Sequence, residues 1–480
     1  MMATSTRRGF IGGATALAAM CAGRGVAAGD DRPAKWWKGN LHSHTFWSDG
    51  KGFPEEAVEW YRSRGYNFLG LSDHNIFQDD PDRWVGVIPN NAKDAVPEWA
   101  KRLPHRYFFN VKQKYFDAYI KAFPDAKVRT AADGKVEARL STFDELAARF
   151  NEDGRFLLMP DVEATRSVEF GDGRYQQLHM NYVNVPELLP SIAAPTFTRI
   201  VKSRPLAGFL YNHLQEVEAL AKRHARPSLF ICNHPIWSWY DVGPEVLVET
   251  PEVRFFEVCN NGGSFEAAEG LPSDGLDTDR FWDVVNAFRA RRGQRLLYGI
   301  GTDDTHLWHG ESGPMLMPGN AWSLVRAKSL DAASLIAAME AGDFVTCEGL
   351  EPEDVSFDRA AGRLSVSVGA SKDGAARTVK FIVSKSDFSE KPVSTIDIRP
   401  AKSKDTTRFE RTVKIYDEKI GMVAKTVEGA PGEPVRAEYK MAGDDLYVRA
   451  RVEERGTTLC TASLHPKGLR VAWTQPYTRG

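Results

Sequence analysis

Asn40-Leu41-His42-Ser43-His44-Thr45, closed by Ser48-Asp49-Gly50, is the stretch on which the reading of this chain turns. Residues two apart in an extended chain point the same way, so His42 and His44 offer two imidazoles to one point at a strand end. The turn that follows returns the carboxylate of Asp49. A single stretch of this kind is weak, because a lone His is more often structural and a lone Asp after a strand most often caps a helix. Further apolar runs nevertheless reach a His, Asp or Glu in the same way. They are Leu69-Gly70-Leu71-Ser72-Asp73-His74-Asn75, Leu157-Leu158-Met159-Pro160-Asp161-Val162-Glu163 and Leu178-His179-Met180-Asn181-Tyr182-Val183. Phe230-Ile231-Cys232-Asn233-His234-Pro235, Phe255-Phe256-Glu257-Val258-Cys259-Asn260 and Tyr298-Gly299-Ile300-Gly301-Thr302-Asp303-Asp304-Thr305-His306 complete the series.

Between these runs the pattern alternates strand and helix from about Trp36 to Gly349. Helices are predicted over 54–64, with Pro54 in the first turn and Gly65 at the end, and over 142–150, where Thr142 and Glu145 are spaced as a capping box. Others are predicted over 217–224, 281–291 and 332–341. Continuous apolar strands alternating with helices mark a parallel sheet buried on both faces. A closed barrel is one such architecture, with its chemistry at the C-terminal strand ends, where the polar residues fall. An aromatic and basic insertion spans 77–141, longer than ordinary connections. It reads as a lid, a helical subdomain, a partner surface or added scaffold. Residues 262–278 read as a mobile loop above the Glu257 strand. After Glu351, the runs 363–368, 379–383 and 446–452 alternate apolar and polar residues, which predicts a small antiparallel β-sandwich over 351–480 behind a catalytic domain over 29–349.

The 480 residues suffice for two domains. With 62 basic against 64 acidic residues, no charge field marks nucleic acid or a membrane surface as a partner. Thr6-Arg7-Arg8-Gly9-Phe10 leads into an uncharged Ala/Gly-rich run and then Val26-Ala27-Ala28. This predicts a signal peptide over 1–28, twin-arginine export machinery as a partner and a periplasmic or secreted mature protein. Met20 stands where a lipoprotein anchor at Cys21 would want a small residue. No long apolar span follows residue 30, so no membrane crossing is predicted for the mature protein. Cys232, Cys259, Cys347 and Cys460 form no disulfide framework, and the first two read as small buried hydrophobes.

His42, His44, Asp49, His74, Glu163, His179, His234, His306 and either Asp303 or Asp304 are the candidate metal ligands. Glu163 can bridge two cations, since its two oxygens can bind separately. Mixed nitrogen and oxygen donors without thiolate suit zinc, manganese or iron, and the set is too large for one ion, so two or three are expected. Water bridging such ions loses its proton near neutral pH, while further ions clamp substrate and leaving-group oxygens. Glu257, in mid-strand, reads as support for a ligand. His105, His213, His224, His309 and His465 lack partners in the pattern and read as structural.

The motifs His42-Ser43-His44-Thr45 with Ser48-Asp49-Gly50, Ser72-Asp73-His74-Asn75, Asp161-Val162-Glu163, His179, Asn233-His234-Pro235 and Thr302-Asp303-Asp304-Thr305-His306 resemble those of the polymerase and histidinol phosphatase (PHP) superfamily of metal-dependent phosphoesterases. The resemblance covers about residues 36–349. It implies a distorted seven-stranded TIM-like β/α barrel in which His42, His44, Glu163 and the late Asp hold one metal. Glu163, His179 and His234 would hold a second, and Asp49, His74 and His306 a third. The chain departs from the family's Asp-x-His spacing at its last motif. Asp303 keeps the strand-end position and is the favoured ligand, while Asp304 keeps the spacing to His306. The tail around Ala472-Trp473-Thr474-Gln475-Pro476 resembles the β-rich extension of some exported members.

The expected activity is hydrolysis of a small phosphorylated ester by a metal-bridging hydroxide, with Arg166 a candidate phosphate contact. The rivals are hydrolysis of a carboxylic ester, carbamate or amide, and a non-catalytic binding module. There is no Gly-x-Ser-x-Gly elbow and no Gly-rich phosphate loop.

Overall fold

A computed structural model describes residues 33–93, 110–169, 175–193, 201–202, 206–235, 242–260, 277–309, 317–398, 411–455 and 469–479. The expected signal peptide over 1–28, Trp99, Tyr107, Phe108, Phe109, His105, His465, Cys460 and the 262–276 part of the expected loop lie outside the described residues. No described helix is long and apolar enough to cross a membrane.

One large mixed sheet organises the chain. Lys35–Asn40, Phe68–Leu71 and Leu157–Glu169 pair in parallel, as do Leu229–Cys232, Phe255–Asn260 and Tyr298–Thr302. Between the two trios lies Tyr175–Val183, antiparallel to both neighbours. The all-parallel expectation fails at this strand for a reason of length. Residues 170–174 are all that joins it to the strand before, whereas a parallel crossover needs about a dozen residues. The outer edge of the second trio turns back toward the first strand. Ser43 bridges Thr305, and the His44 amide donates to the Thr305 carbonyl at 2.8 Å. Thr346 Oγ1 donates to the Gly299 carbonyl at 2.7 Å. The approach is so close at Gly301 that a Cβ there would sit 2.9 Å from the Trp322 carbonyl oxygen, and glycine alone fits. No ladder joins Tyr298–Thr302 to Lys35–Asn40 among the described residues, so the seven strands curl into an arc whose edges meet at their C-terminal ends.

Helices cover this arc. Pro54–Ser63 starts at its proline, and the Phe53 amide donates to Glu56 Oε2 at 2.9 Å. Phe143–Phe150 has the expected capping box, in which the Thr142 amide donates to Glu145 Oε2 at 3.0 Å. Leu206–His224 begins earlier than the predicted helix at 217, because Phe209, Leu210, His213, Leu214 and Val217 keep a helical stripe buried. Beneath the strand ends Met159, Ile231, Phe255 and Ile300 form one apolar cluster with Trp37 and Phe344. That floor excludes water and leaves polar side chains to the other end.

The described part of the insertion is a four-stranded sheet with the helix Gln113–Ala122. It packs onto the arc through Tyr119, whose ring stacks on Phe53 at 3.7 Å, and through the Trp47 indole, which donates to the Ser141 carbonyl at 3.0 Å.

Beyond Trp322–Ala327 and Phe344–Glu348 the sheet continues antiparallel through Leu469–Thr474, Asp445–Arg455, Arg377–Lys385 and Met422–Glu428. Asp354–Asp358, Arg363–Val368 and Val435–Lys440 form a second sheet. Leu364, Val366 and Val435 share a buried cluster with Val379, Phe381 and Val448, so the two sheets face each other. A buried ionic group ties these strands to the helix Thr278–Arg291. Arg449 Nη2 lies 2.6 Å from Asp283 Oδ2, Arg449 Nη1 lies 2.7 Å from Asp279 Oδ1, and the Trp473 indole donates to Asp279 at 3.1 Å.

Candidate metal centre

The curled arc brings residues from distant parts of the chain to one end. His44, Asp49, His74 and His306 form one group in which one donor atom from each lies within 4.8 Å of the others. His42, His44, Glu163 and Asp304 form a second by the same measure, and His74, Glu163 and His179 a third. His44, His74 and Glu163 each belong to two groups, so the three are facets of one cluster.

Glu163 is its hub. Oε2 lies 3.1 Å from His42 Nε2, 3.2 Å from His44 Nε2 and 3.0 Å from His74 Nδ1. Oε1 faces the other way, 2.8 Å from His179 Nδ1 and 3.6 Å from His234 Nε2. The two oxygens thus serve different imidazoles, as a bridging carboxylate requires. On the far side Asp49 Oδ1 stands 3.2 Å from His306 Nε2, 3.5 Å from His74 Nε2 and 3.8 Å from His44 Nδ1. Asp49 and His306 keep 15% and 17% side-chain exposure while His42, His44 and Glu163 are sealed, so solvent reaches the cluster from the Asp49 side.

Asp303, the favoured ligand of the last motif, stands outside the cluster. Its Oδ1 accepts from the amides of Asn320 and Ala321 at 2.7 and 2.8 Å. Its Oδ2 accepts from the Gly319 amide at 2.9 Å and the Tyr61 hydroxyl at 2.7 Å. Asp304 takes the cluster position, with Oδ1 3.1 Å from His44 Nε2 and 3.2 Å from His42 Nε2. The reason is local backbone. Asp304 has φ 48°, a left-handed conformation that Asp adopts more readily than most residues, so the strand-end position that favoured Asp303 does not decide which carboxylate faces the cluster.

Arg166 also departs from expectation. Period two along Leu157–Glu169 puts it on the face of Val162 and Ala164, which are packed in the core, and away from Glu163. It is buried and donates to the Ser191 carbonyl. Of the histidines read as structural, His213 is buried with Nδ1 2.8 Å from the Tyr182 hydroxyl. His309 stacks on Tyr115 at 4.1 Å, and His224 sits at the exposed end of its helix.

Electrostatics fit a cation site. Burial would lower the pKa of His42, but Asp304, Glu163 and Glu257 raise it well above the usual imidazole range. For His44, burial is outweighed by Asp304 and Glu163, and its pKa rises to about 10. Burial would raise Glu163 and Asp304, yet the surrounding imidazoles, His42 foremost, hold both well below the carboxylate range. A cation among these groups would stabilise the carboxylates as the protons do. The donor atoms agree. His42 Nδ1 lies 2.6 Å from Glu257 Oε1, so that nitrogen would keep its proton when a cation displaces the one on Nε2, whose lone pair would then face inward. Nε2 and Glu163 Oε2 are both buried without a hydrogen-bond partner although they face each other at 3.1 Å. Atoms so placed are costly to bury unless a proton or a metal cation lies between them.

Apart from Glu257, already read as support, the residues that brace the candidate ligands were mostly silent in the sequence. Glu257 accepts from His42, from the Thr302 hydroxyl at 2.6 Å, from the His234 amide at 2.8 Å and from Asn260 at 2.9 Å. Asn233 donates to Glu163 Oε1 and to Asn181 Oδ1, each at 2.8 Å, and Asn40 accepts from the His42 amide at 3.0 Å. The one signal that pointed to Asn40 and Asn233 was their position beside a ligand within its motif.

No protein-family model matches the chain, and no curated protein matches it. Among solved structures, a two-domain protein from Bacteroides vulgatus containing a predicted PHP-like metal-dependent phosphoesterase aligns over 93% of this chain and 95% of its own. Identity is 13% and the TM-score 0.38. An amidohydrolase from Chromobacterium violaceum, with bound sulfate and no metal, aligns over 56% of this chain and 87% of its own, at 14% identity and a TM-score of 0.25.

Proposed function

We propose that this protein is a metal-dependent hydrolase of small ester substrates, acting first on phosphoesters. The observation that carries the reading is the buried Glu163, with its two oxygens turned to separate sets of imidazoles inside one cluster. His42, His44, Glu163 and Asp304 would hold one divalent ion, Glu163, His179 and His234 a second, and Asp49, His74 and His306 a third. Divalent ions in such a site neutralise charge on ester oxygens and make water acidic near neutral pH.

The chain's own residues do the rest. Asp49 and His306, partly exposed, front the side from which a substrate oxygen arrives. The apolar floor under the strand ends keeps bulk water from the buried donors. A thiol nucleophile is disfavoured among the described residues, since Cys232, Cys259 and Cys347 are all buried. Burial pushes the Cys232 thiol up to about 12 and holds Cys259 and Cys347 well above the usual range.

The test is turnover of aryl phosphate mono- and diesters by protein supplied with zinc, manganese or iron, alongside aryl carboxylic esters and carbamates, before and after chelation. Metal-dependent release from the phosphates supports the proposal. Release only from the carbonyl substrates redirects it to carboxyl chemistry, and release unaffected by chelation sinks it. Export by the twin-arginine route is proposed from the N-terminal residues, and fractionation of cells expressing the full chain against an Arg7→Lys, Arg8→Lys variant tests it.

A further inference from the structure

Asp73 precedes a candidate ligand but faces away from the cluster, and its carboxylate is fully buried. Oδ1 accepts from the Thr45 amide at 2.8 Å and the Ser48 hydroxyl at 2.6 Å. Oδ2 accepts from the Thr45 hydroxyl at 2.8 Å and from Gln78 Nε2 at 3.1 Å. The other roles of Thr45 and Gln78 are already filled, while the Ser48 hydroxyl lies a longer 3.5 Å from His44 Nδ1 and from Asp49 Oδ1. Thr45 Oγ1 accepts from the Trp47 amide at 3.1 Å, and Gln78 Nε2 gives its other hydrogen to the Leu71 carbonyl at 3.0 Å. Only a group that accepts at every position satisfies this set, and a carboxylate is such a group.

Three of the four donors belong to the turn between His44 and Gly50. That turn folds tightly onto itself. The amides of Ser48 and Gly50 both donate to the Thr45 carbonyl at 3.0 Å, and a Cβ on Gly50 would fall 2.3 Å from the His44 carbonyl. Its product is the placement of Asp49, the one carboxylate facing His44, His74 and His306 together. Every other carboxylate of the cluster is carried by a strand or by the residues just beyond one.

We propose that Asp73 is a positioning residue that acts through this turn on Asp49, and so sets affinity at the exposed group His44, Asp49, His74 and His306 rather than at the Glu163 hub. The inference rests on the metal-centre reading and deepens it, giving the strand end of Asp73 and the loop of Asp49 one joint task.

The experiment is stepwise titration of metal-stripped full-length protein with zinc or manganese alone, followed by calorimetry, with circular dichroism and thermal unfolding as the check on folding. Asp73→Asn places an amide N–H2 among donors. Its expected effect is a loss of about 10–100-fold in affinity for the weakest-bound ion, with the tighter sites unchanged. Ser48→Ala removes one donor and is expected to act the same way more mildly, and it serves if Asp73→Asn does not fold. Thr45→Ser keeps both donors and is expected to match the wild type. Folded variants that bind every ion as the wild type does overturn the inference alone. Equal weakening of all sites overturns it too, since that is what a general structural role predicts. Wild-type protein that binds no ion removes the metal-centre reading itself, and the inference with it.

Discussion

The carboxylates of Asp303 and Asp304, adjacent in sequence, serve different surroundings: Asp303 accepts from three backbone amides and Tyr61, while Asp304 lies within 3.2 Å of His42 and His44. In the proposed metal centre the pair would separate ligation from support within two consecutive residues. Asp304→Asn should cost at least one bound metal, measured by elemental analysis of purified protein. Asp303→Asn leaves every donor atom in place and should weaken binding by about 10–100-fold, as loss of a group that orients a ligand does. The opposite ranking of the two variants would return Asp303 to the ligand set.

Arg449 is sealed between Asp283 and Asp279, on a strand of the C-terminal sheet facing a helix of the arc. Arg449→Ala leaves the buried Asp283 carboxylate without its cation, while Asp279 keeps Arg451, a change that costs about 3–5 kcal/mol. Denaturant unfolding followed by circular dichroism reads it. Arg449→Met combined with Asp283→Leu should recover much of the loss, because the cost lies in the stranded Asp283 charge while Asp279 keeps Arg451. A loss below about 1 kcal/mol in Arg449→Ala would contradict the burial seen at this contact.

Burial, with Arg166 adding to it, lowers the His213 pKa from 6.5 to about 3. The folded protein thus keeps a neutral imidazole where the unfolded chain takes up a proton. The contribution is fully present above pH 6.5 and is lost as pH falls toward 3. Its slope is at most about 1.4 kcal/mol per pH unit, one proton's worth. His213→Asn should flatten the fall of unfolding midpoint with pH between these limits, and an unchanged curve would show that His213 titrates normally.

Ion removal should be felt in stability as well as turnover. An ion at about 100 times its dissociation constant adds roughly 2.7 kcal/mol to the folded state. Zinc or manganese should raise the unfolding temperature of chelated wild-type protein, and the rise should shrink in Asp304→Asn. Equal rises in both would place the stabilising ion away from His42, His44 and Glu163.

The histidines and carboxylates were legible because each lies in a short apolar run or within a few residues of its end, a pattern written locally. The same local logic misled at Arg166. Three residues after Glu163 looked close on the page, but an odd spacing in a strand turns a side chain to the opposite face. At Tyr175–Val183 the run of apolar residues showed a strand and carried no sign of its direction. The sandwich strands announced themselves by alternation, while their bond to the helix Thr278–Arg291 through Arg449 joins residues over 160 positions apart and leaves no local trace.

By itself, then, the amino-acid order determined which residue types stand at strand ends and where apolar periodicity changes, since both follow from short-range chain geometry. Tertiary structure alone decided that Asp304 enters the cluster, that Glu163 divides its oxygens between two sets of imidazoles, and that Asp73 braces the Asp49 turn. Those outcomes depend on backbone rotation at one residue and on contacts across the curled sheet, neither of which any window of sequence contains.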